Sequence, residues 1–233
     1  MSTEYLKQQI ERVKGDIARA CEKIGKSSDD VLLLGVTKTY EPEIINASID
    51  FGITDIAENK VQEILRKFDD VNKDVRWHLI GHLQSNKVKY IVDKVYLIHS
   101  VDSIKLAEEI NNRAKKIDKI QNILIQVNVA DETQKFGISP DVLDEMLESI
   151  SQMENVKVCG LMNIAPLVEN PEVLRKDFKI MNDLFVRLKK CAYSNVEAMF
   201  LSMGMSNDYE IAIEEGANMI RIGTKIYGKR QYL

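Results

Sequence analysis

Eight short apolar runs, helix-like stretches between them, and one further helix ahead of the first run predict an α/β fold. The architecture is a (β/α)8 TIM barrel with an extra N-terminal helix, a single domain spanning residues 1–233. That length suffices for one such barrel and a large core. An open doubly wound sheet is the alternative. It usually has fewer strands and opens on a Gly-rich turn, whereas Gly35 stands alone ahead of Lys38.

The first helix runs from about residue 3 to 24, with Leu6, Ile10, Val13, Ile17 and Ala20 at helical spacing and Gly25 to end it. Strand candidates follow at 31–36, 53–57, 76–80, 95–99, 123–129, 156–162, 198–202 and 219–222. Helix candidates lie between them near 42–51, 60–68, 86–92, 104–116, 140–153, 171–190 and 208–215. Three of the four prolines, Pro42, Pro140 and Pro171, sit at helix starts, where the missing N–H is harmless. No linker, repeat or low-complexity tract divides the chain. The lysine-rich stretch at Lys115, Lys116 and Lys119 reads as a solvated helix end.

Composition narrows the function. A net charge of −4 argues against a nucleic-acid binder working through a basic face. Cys21, Cys159 and Cys191 are widely spaced and odd in number, so neither a disulfide framework nor a CxxC metal site follows. The N-terminus has no apolar signal core and is not Arg-rich, and no run approaches a membrane span. The expected setting is cytoplasmic, without membrane or nucleic-acid partners, as a monomer or weak dimer. His78 and His82 stand four apart without an HExxH pattern, on what reads as strand and turn, so no metal site is expected and His78 reads as a barrel-wall residue.

In such barrels chemistry gathers where the strands end. Lys38 follows the apolar run at 31–36 on the face shared by Leu32, Leu34 and Val36, so it points into the barrel's mouth. A lysine desolvated there loses basicity and can form a Schiff base with an aldehyde cofactor. The other ends carry Glu58-Asn59, Gly81-His82, His99-Ser100, Asn128, Asn163, Ser202 to Ser206, and Arg221 to Thr224. Loops after strands 7 and 8 often bind phosphate. Ser206 reads as an N-cap of the following helix with a hydroxyl free for a phosphate oxygen, Gly223 would admit backbone N–H groups, and Thr224 adds a second hydroxyl. Asp208 and Glu210 would repel a phosphate and are expected to point away. Gly223-Thr224-Lys225 lacks the upstream spacing of a P-loop.

Taken in order, the segments Leu33-Leu-Gly-Val-Thr-Lys38-Thr39, Glu58-Asn59-Lys-Val-Gln62-Glu63 and Trp77-His-Leu-Ile-Gly-His-Leu-Gln-Ser-Asn86-Lys87 carry a family likeness. It continues through Ser100-Val-Asp102-Ser103, Gln126-Val-Asn128-Val, Lys135-Phe-Gly137-Ile138 and Gly160-Leu-Met-Asn-Ile164. It closes on Leu201-Ser-Met-Gly-Met-Ser206-Asn-Asp208 and Arg221-Ile-Gly-Thr224-Lys-Ile-Tyr-Gly228. The set resembles the pyridoxal phosphate homeostasis protein family, whose fold is similar to the N-terminal barrel of alanine racemase. The resemblance implies that Lys38 carries pyridoxal 5′-phosphate as an internal aldimine, with Asn59 beside it. Ser206, Gly223 and Thr224 would hold the phosphate, and Arg221 would face the pyridine nitrogen. Ala57 stands where the family usually has Gly before Glu-Asn. Tyr40-Glu41-Pro42 stands where many members carry a second lysine, leaving Lys87 and Lys135 as candidates for a secondary site.

Three functions are compatible with these residues: a binder that holds and delivers pyridoxal phosphate to cofactor-requiring apoenzymes, an amino-acid racemase, or a barrel for an unrelated phosphorylated metabolite. An arginine at the pyridine nitrogen keeps it unprotonated and makes the ring a weaker electron sink. Racemases of this type add a tyrosine from a second domain, and none is expected after Tyr232-Leu233.

Overall fold

A computed structural model describes residues 2–129, 136–166, 168 and 170–228. Eight parallel strands close a barrel in sequence order: β1 Leu32–Val36, β2 Asp55–Glu58, β3 Arg76–Leu79, β4 Leu97–Val101, β5 Gln121–Gln126, β6 Val156–Met162, β7 Val196–Ser202 and β8 Met219–Ile222. Closure joins β8 to β1 through the pairs Leu32↔Met219, Leu34↔Arg221 and Gly35↔Ile222. Around the barrel run α1 Thr3–Lys23, α2 Pro42–Asp50, α3 Val61–Lys67, α4 Ile104–Lys115, α5 Leu143–Ser151, α6 Pro171–Leu188, α7 Tyr209–Glu214 and α8 Thr224–Tyr227.

All eight predicted strands form, with ends shifted by a few residues. The stretch near 86–92 is a short 3₁₀ helix, Ser85–Tyr90, rather than an α-helix. The stretch 140–153 begins as a 3₁₀ turn at Pro140–Val142 and becomes α-helical at Leu143. α8 lies outside the predicted elements. Pro42, Pro140 and Pro171 each open a helical segment. Lys119 departs from its expected solvation: its Nζ donates to the Val92 and Val95 carbonyls at 2.7 and 2.8 Å, tying the end of α4 to the loop before β4.

Two apolar layers follow from strand alternation. Residues facing outward pack against the helices, whereas Leu34, Val36, Ala57, Leu97, Leu124, Met162 and Met219 fill the inside of the barrel. Leu32 joins that inner layer, so the face assigned to Leu32, Leu34 and Val36 does point inward. α1 presents Leu6, Ile10, Val13, Ile17 and Ala20 to the barrel's outer shell. It is pinned near the mouth by Asp16, which accepts a 2.6 Å hydrogen bond from the Tyr209 hydroxyl.

Beneath the mouth lies a buried ion pair. Lys67 Nζ, fully buried at the end of α3, donates to Glu58 Oε1 at 2.7 Å and to the Thr37 carbonyl at 3.0 Å, and pairs with Glu63 at 2.9 Å. Thr37 Oγ1 donates to the same Glu58 oxygen at 2.8 Å. Burial pushes the Glu58 carboxyl above its ordinary value, against the pull of Lys67 and Thr37. Removing one partner of such a pair strands a buried charge, which costs about 3–5 kcal/mol. Lys67→Met should lower the unfolding free energy by about that amount in urea melts, and adding Glu58→Gln should recover part of it. A loss below about 1 kcal/mol for the single variant would mean that the pair does not hold the strand ends.

Candidate functional site

The C-terminal ends of the strands surround a cavity of about 410 Å³. Such volumes suit small-molecule ligands. All six residues singled out from the sequence line it: Lys38, Asn59, Ser206, Arg221, Gly223 and Thr224. Lys38 is half-buried one residue beyond Thr37, whose carbonyl Lys67 holds, and Thr39 turns the chain away at a φ of 73°. Asn59 follows Glu58, so the same buried pair sets the height of both lining residues. Gly81 permits the close approach of β3 to β2 here, since a β-carbon on it would lie 2.1 Å from the Asn59 carbonyl oxygen.

The loops after β7 and β8 meet at Ser206. Its Oγ accepts from the Lys225 backbone N–H at 3.5 Å, so Ser206, Gly223 and Thr224 form one end of the cavity. Ser206 is therefore not the N-cap of α7. That position belongs to Asp208, because a turn at residues 206–208 delays the helix to Tyr209. Asp208 also departs from expectation, since it lines the cavity and is buried. Its Oδ1 accepts the Met205 N–H at 2.5 Å, which turns one carboxylate oxygen back onto its own loop, while burial pushes its carboxyl upward. Glu210 does point away, toward Lys225 at 3.7 Å. Gly204, with a φ of 90°, lets this loop lie against α7, where a β-carbon would fall 2.6 Å from that of Ala212.

Arg221 is 4% exposed and firmly held. Its NH1 donates to Ser202 Oγ and its NH2 to the Asn163 carbonyl, both at 2.7 Å. Burial pushes its guanidinium down to about 10, with Asp208 acting the other way. Behind it the polar contacts continue across the barrel interior: Ser202 Oγ to His99 Nδ1 at 3.1 Å, His99 Nε2 to His78 Nδ1 at 2.9 Å, and His78 Nε2 to Asp55 Oδ1 at 2.8 Å. Asp55 Oδ2 accepts from Arg76 at 2.8 Å and from Thr54 at 2.7 Å. Burial would raise the Asp55 carboxyl, but the hydrogen bonds from His78, Arg76 and Thr54 overcome it and hold the group below its ordinary value. Burial lowers both imidazoles, His99 well below its ordinary value.

Sequence reasoning placed His78 as a satisfied wall residue, and it is. It missed the chain that His78 belongs to, although Asp55, His78 and His99 are polar residues inside apolar runs. It also missed Gln126, Phe136 and Asn207 as lining residues. His82, read only as a strand-end residue, lines the cavity with its ring stacked on Phe136 at 3.8 Å between centroids and its Nδ1 3.3 Å from Asp102. Lys87 sits on the 3₁₀ helix Ser85–Tyr90 and does not line the cavity. Lys135 lies outside the described residues. Among the described residues no three His, Cys, Asp or Glu side chains form a metal-binding group, and no helix is long and apolar enough to cross a membrane.

The buried histidines give a pH prediction. Their folded pKa values lie below about 6.5, the unfolded value, so the unfolded chain binds more protons once the pH drops past that point. Their contribution to stability is present above about pH 6.5 and is lost as the pH falls, at up to about 1.4 kcal/mol per pH unit for each ring. Asp55, Arg76 and Arg221 are the charged groups facing the pair. Urea melts between pH 7.5 and 5 should show this decline, and His99→Phe should flatten it. An unchanged slope in that variant would mean that His99 is not neutral and buried as described.

A family model described as alanine racemase, N-terminal domain, matches residues 12–231. A pyridoxal phosphate homeostasis protein of Aquifex aeolicus (strain VF5) is 45% identical over 226 residues, covering 97% of this chain and 98% of that protein. The protein of the same name from Escherichia coli (strain K12) is 34% identical over 229 residues, 96% of each chain. The structure of PipY from Synechococcus elongatus PCC7942 with PLP bound matches with a TM-score of 0.79 at 32% identity, over 91% of this chain and all of that one. An alanine racemase of Clostridium difficile 630 shares the fold alone, at 14% identity and a TM-score of 0.73 over 98% of this chain and 58% of that one.

Proposed function

This chain belongs to the pyridoxal phosphate homeostasis protein family, within the group defined by the alanine racemase N-terminal domain, and we propose that it binds and holds pyridoxal 5′-phosphate for delivery to apoenzymes. The observation that carries this reading is the convergence on one cavity of an amine, a buried guanidinium and a two-loop hydroxyl site, contributed by strands far apart in sequence. That donor set fits the group: Lys38 for its aldehyde, Ser206, Gly223 and Thr224 for its phosphate, Arg221 for its ring nitrogen and Asn59 beside it. When bound, the cofactor supplies an aldehyde carbon with which a primary amine condenses, releasing one water.

The residues present favour holding over turnover. Arg221 is a cation aimed from a rigid mount, so a ring nitrogen facing it stays unprotonated and draws electrons weakly. Among the described residues lining the cavity the ionisable side chains are Lys38, His82, Asp208 and Arg221, with no tyrosine to oppose Lys38. Among these described residues, racemisation through two opposed bases has no tyrosine as its second member.

Borohydride reduction of the protein loaded with pyridoxal phosphate, followed by peptide mapping, should place the label on Lys38, and Lys38→Ala should lose both the label and the absorbance near 420 nm while remaining folded. Quantitative labelling elsewhere sinks the assignment. Ser206→Ala and Thr224→Ala should each remove about 1.5–3 kcal/mol of binding to pyridoxal phosphate but little of binding to pyridoxal. Equal losses for the two ligands would show that these hydroxyls do not hold phosphate.

Alanine and serine racemisation, with α-proton exchange in D₂O, should proceed far more slowly than about 1 s⁻¹, the low end of ordinary enzymes. Faster turnover would favour the racemase reading instead.

A further inference from the structure

The contacts behind Arg221 fix where every proton in them lies. Arg221 can only donate, so Ser202 Oγ accepts from it. The Ser202 hydroxyl proton must then go to its other partner, His99 Nδ1, because Ser202 is fully buried and the described residues offer it no other acceptor. With Nδ1 accepting, a neutral His99 carries its proton on Nε2 and donates to His78 Nδ1. His78 in turn carries its proton on Nε2 and donates to Asp55 Oδ1. The carboxylate end gives the same answer independently. An ionised Asp55 can only accept, which also puts the His78 proton on Nε2. The two ends meet at the histidine pair without conflict.

We propose that Ser202, His99 and His78 are positioning residues that link Arg221 to the Asp55 carboxylate through a one-way hydrogen-bond chain, fixing the guanidinium's orientation and holding its charge in a buried site. The chain crosses the barrel interior from β8 and β7 to β4, β3 and β2. Every acceptor lone pair in it faces toward Arg221 and every donor proton toward Asp55. Bonds aligned in this way polarise one another, so the negative end reaches Arg221 through neutral groups. The Asn163 carbonyl takes NH2 while Ser202 takes NH1, and the two contacts together set the guanidinium plane. The consequence for a ligand rests on the cofactor reading above. A guanidinium already locked and charged meets a ring nitrogen without reorganisation, as a preorganised donor does.

The first test needs no cofactor. The chain has three histidines, so long-range ¹H–¹⁵N spectra of the imidazoles are readily assigned with a His82→Asn variant. In cofactor-free protein at pH 7.5, His78 and His99 should both appear as neutral Nε2–H tautomers. His99 protonated on Nδ1, or a cationic His78, would reverse the chain and overturn the proposal. The Arg221 guanidinium should show separate Nη signals in the wild type, the mark of blocked rotation. Ser202→Ala and His99→Phe should merge them, and Ser202→Thr, which keeps the hydroxyl, should restore the wild-type pattern. Separate signals in both disrupting variants would overturn the positioning role.

The second test uses pyridoxal phosphate labelled with ¹⁵N at the ring. The two disrupting variants should bind it at least about tenfold more weakly, should move the ring-nitrogen shift toward the protonated form, and should still take borohydride label at Lys38. Unchanged affinity and shift would mean that the chain does not act on the ligand. If wild-type protein takes no label at any lysine, the cofactor reading fails, and the tautomers and Arg221 signals still decide the chain.

Discussion

One buried ammonium organises the mouth of this barrel. Lys67 reaches from the end of α3 under the first two strands and binds Thr37 and Glu58, the residues immediately before Lys38 and Asn59. Two lining residues from separate strands are thereby referred to a single point. Burying this pair costs desolvation that its own attraction hardly recovers, so its value lies less in stability than in specifying one arrangement. An apolar side chain in place of Lys67 could fill the volume, but it could not hold the Thr37 carbonyl. The φ of 73° at Thr39 shows the backbone turning sharply just beyond the clamp.

A second constraint comes from barrel closure. Strand alternation turns every other residue inward, and an interior of eight strands leaves space that side chains must fill. Here the fill is divided. Leu34, Leu97, Leu124 and Met219 form an apolar layer, while Asp55, His78, His99, Ser202 and Arg221 form a polar path through it. Such a path is tolerable only when every member is satisfied, because a half-paired network in a low dielectric is worse than an apolar one. The fixed direction of donors and acceptors meets that condition. Arg221, pushed by burial down to about 10 with Asp208 acting the other way, remains a cation at neutral pH.

The sequence made the architecture and the lining largely legible, and its failures have a common cause. Apolar runs and their spacing report burial, so the eight strands and the inward face of Leu32, Leu34 and Val36 could be read directly. Lys38, Asn59, Ser206, Arg221, Gly223 and Thr224 could be found because strand ends are where this fold places chemistry. What could not be read depends on pairs distant in the chain. His99 finds Ser202 across 103 residues, and Lys119 turns inward to carbonyls 24 and 27 residues away. Ser206 was misread for a related reason. A serine ahead of a helix looks like a cap, but the two loops at the cavity draw its hydroxyl to Lys225 and leave the capping position to Asp208.

These constraints bear on the difference between holding a cofactor and using it. A catalyst in this fold must let charge develop on the ligand and supply an acid opposite its base. The present site spends its rigidity elsewhere. Lys38 is set by the strand clamp, Arg221 by the polar path, and the hydroxyl end by the contact of two loops. Each device raises affinity by removing the reorganisation that binding would otherwise require. On the proposed reading none of them would stabilise a carbanion, and a fixed guanidinium facing the ring nitrogen would oppose its protonation, the step that would make the ring a strong electron sink. On that reading, the same preorganisation that retains the ligand would also oppose its chemistry, as storage of a reactive aldehyde requires.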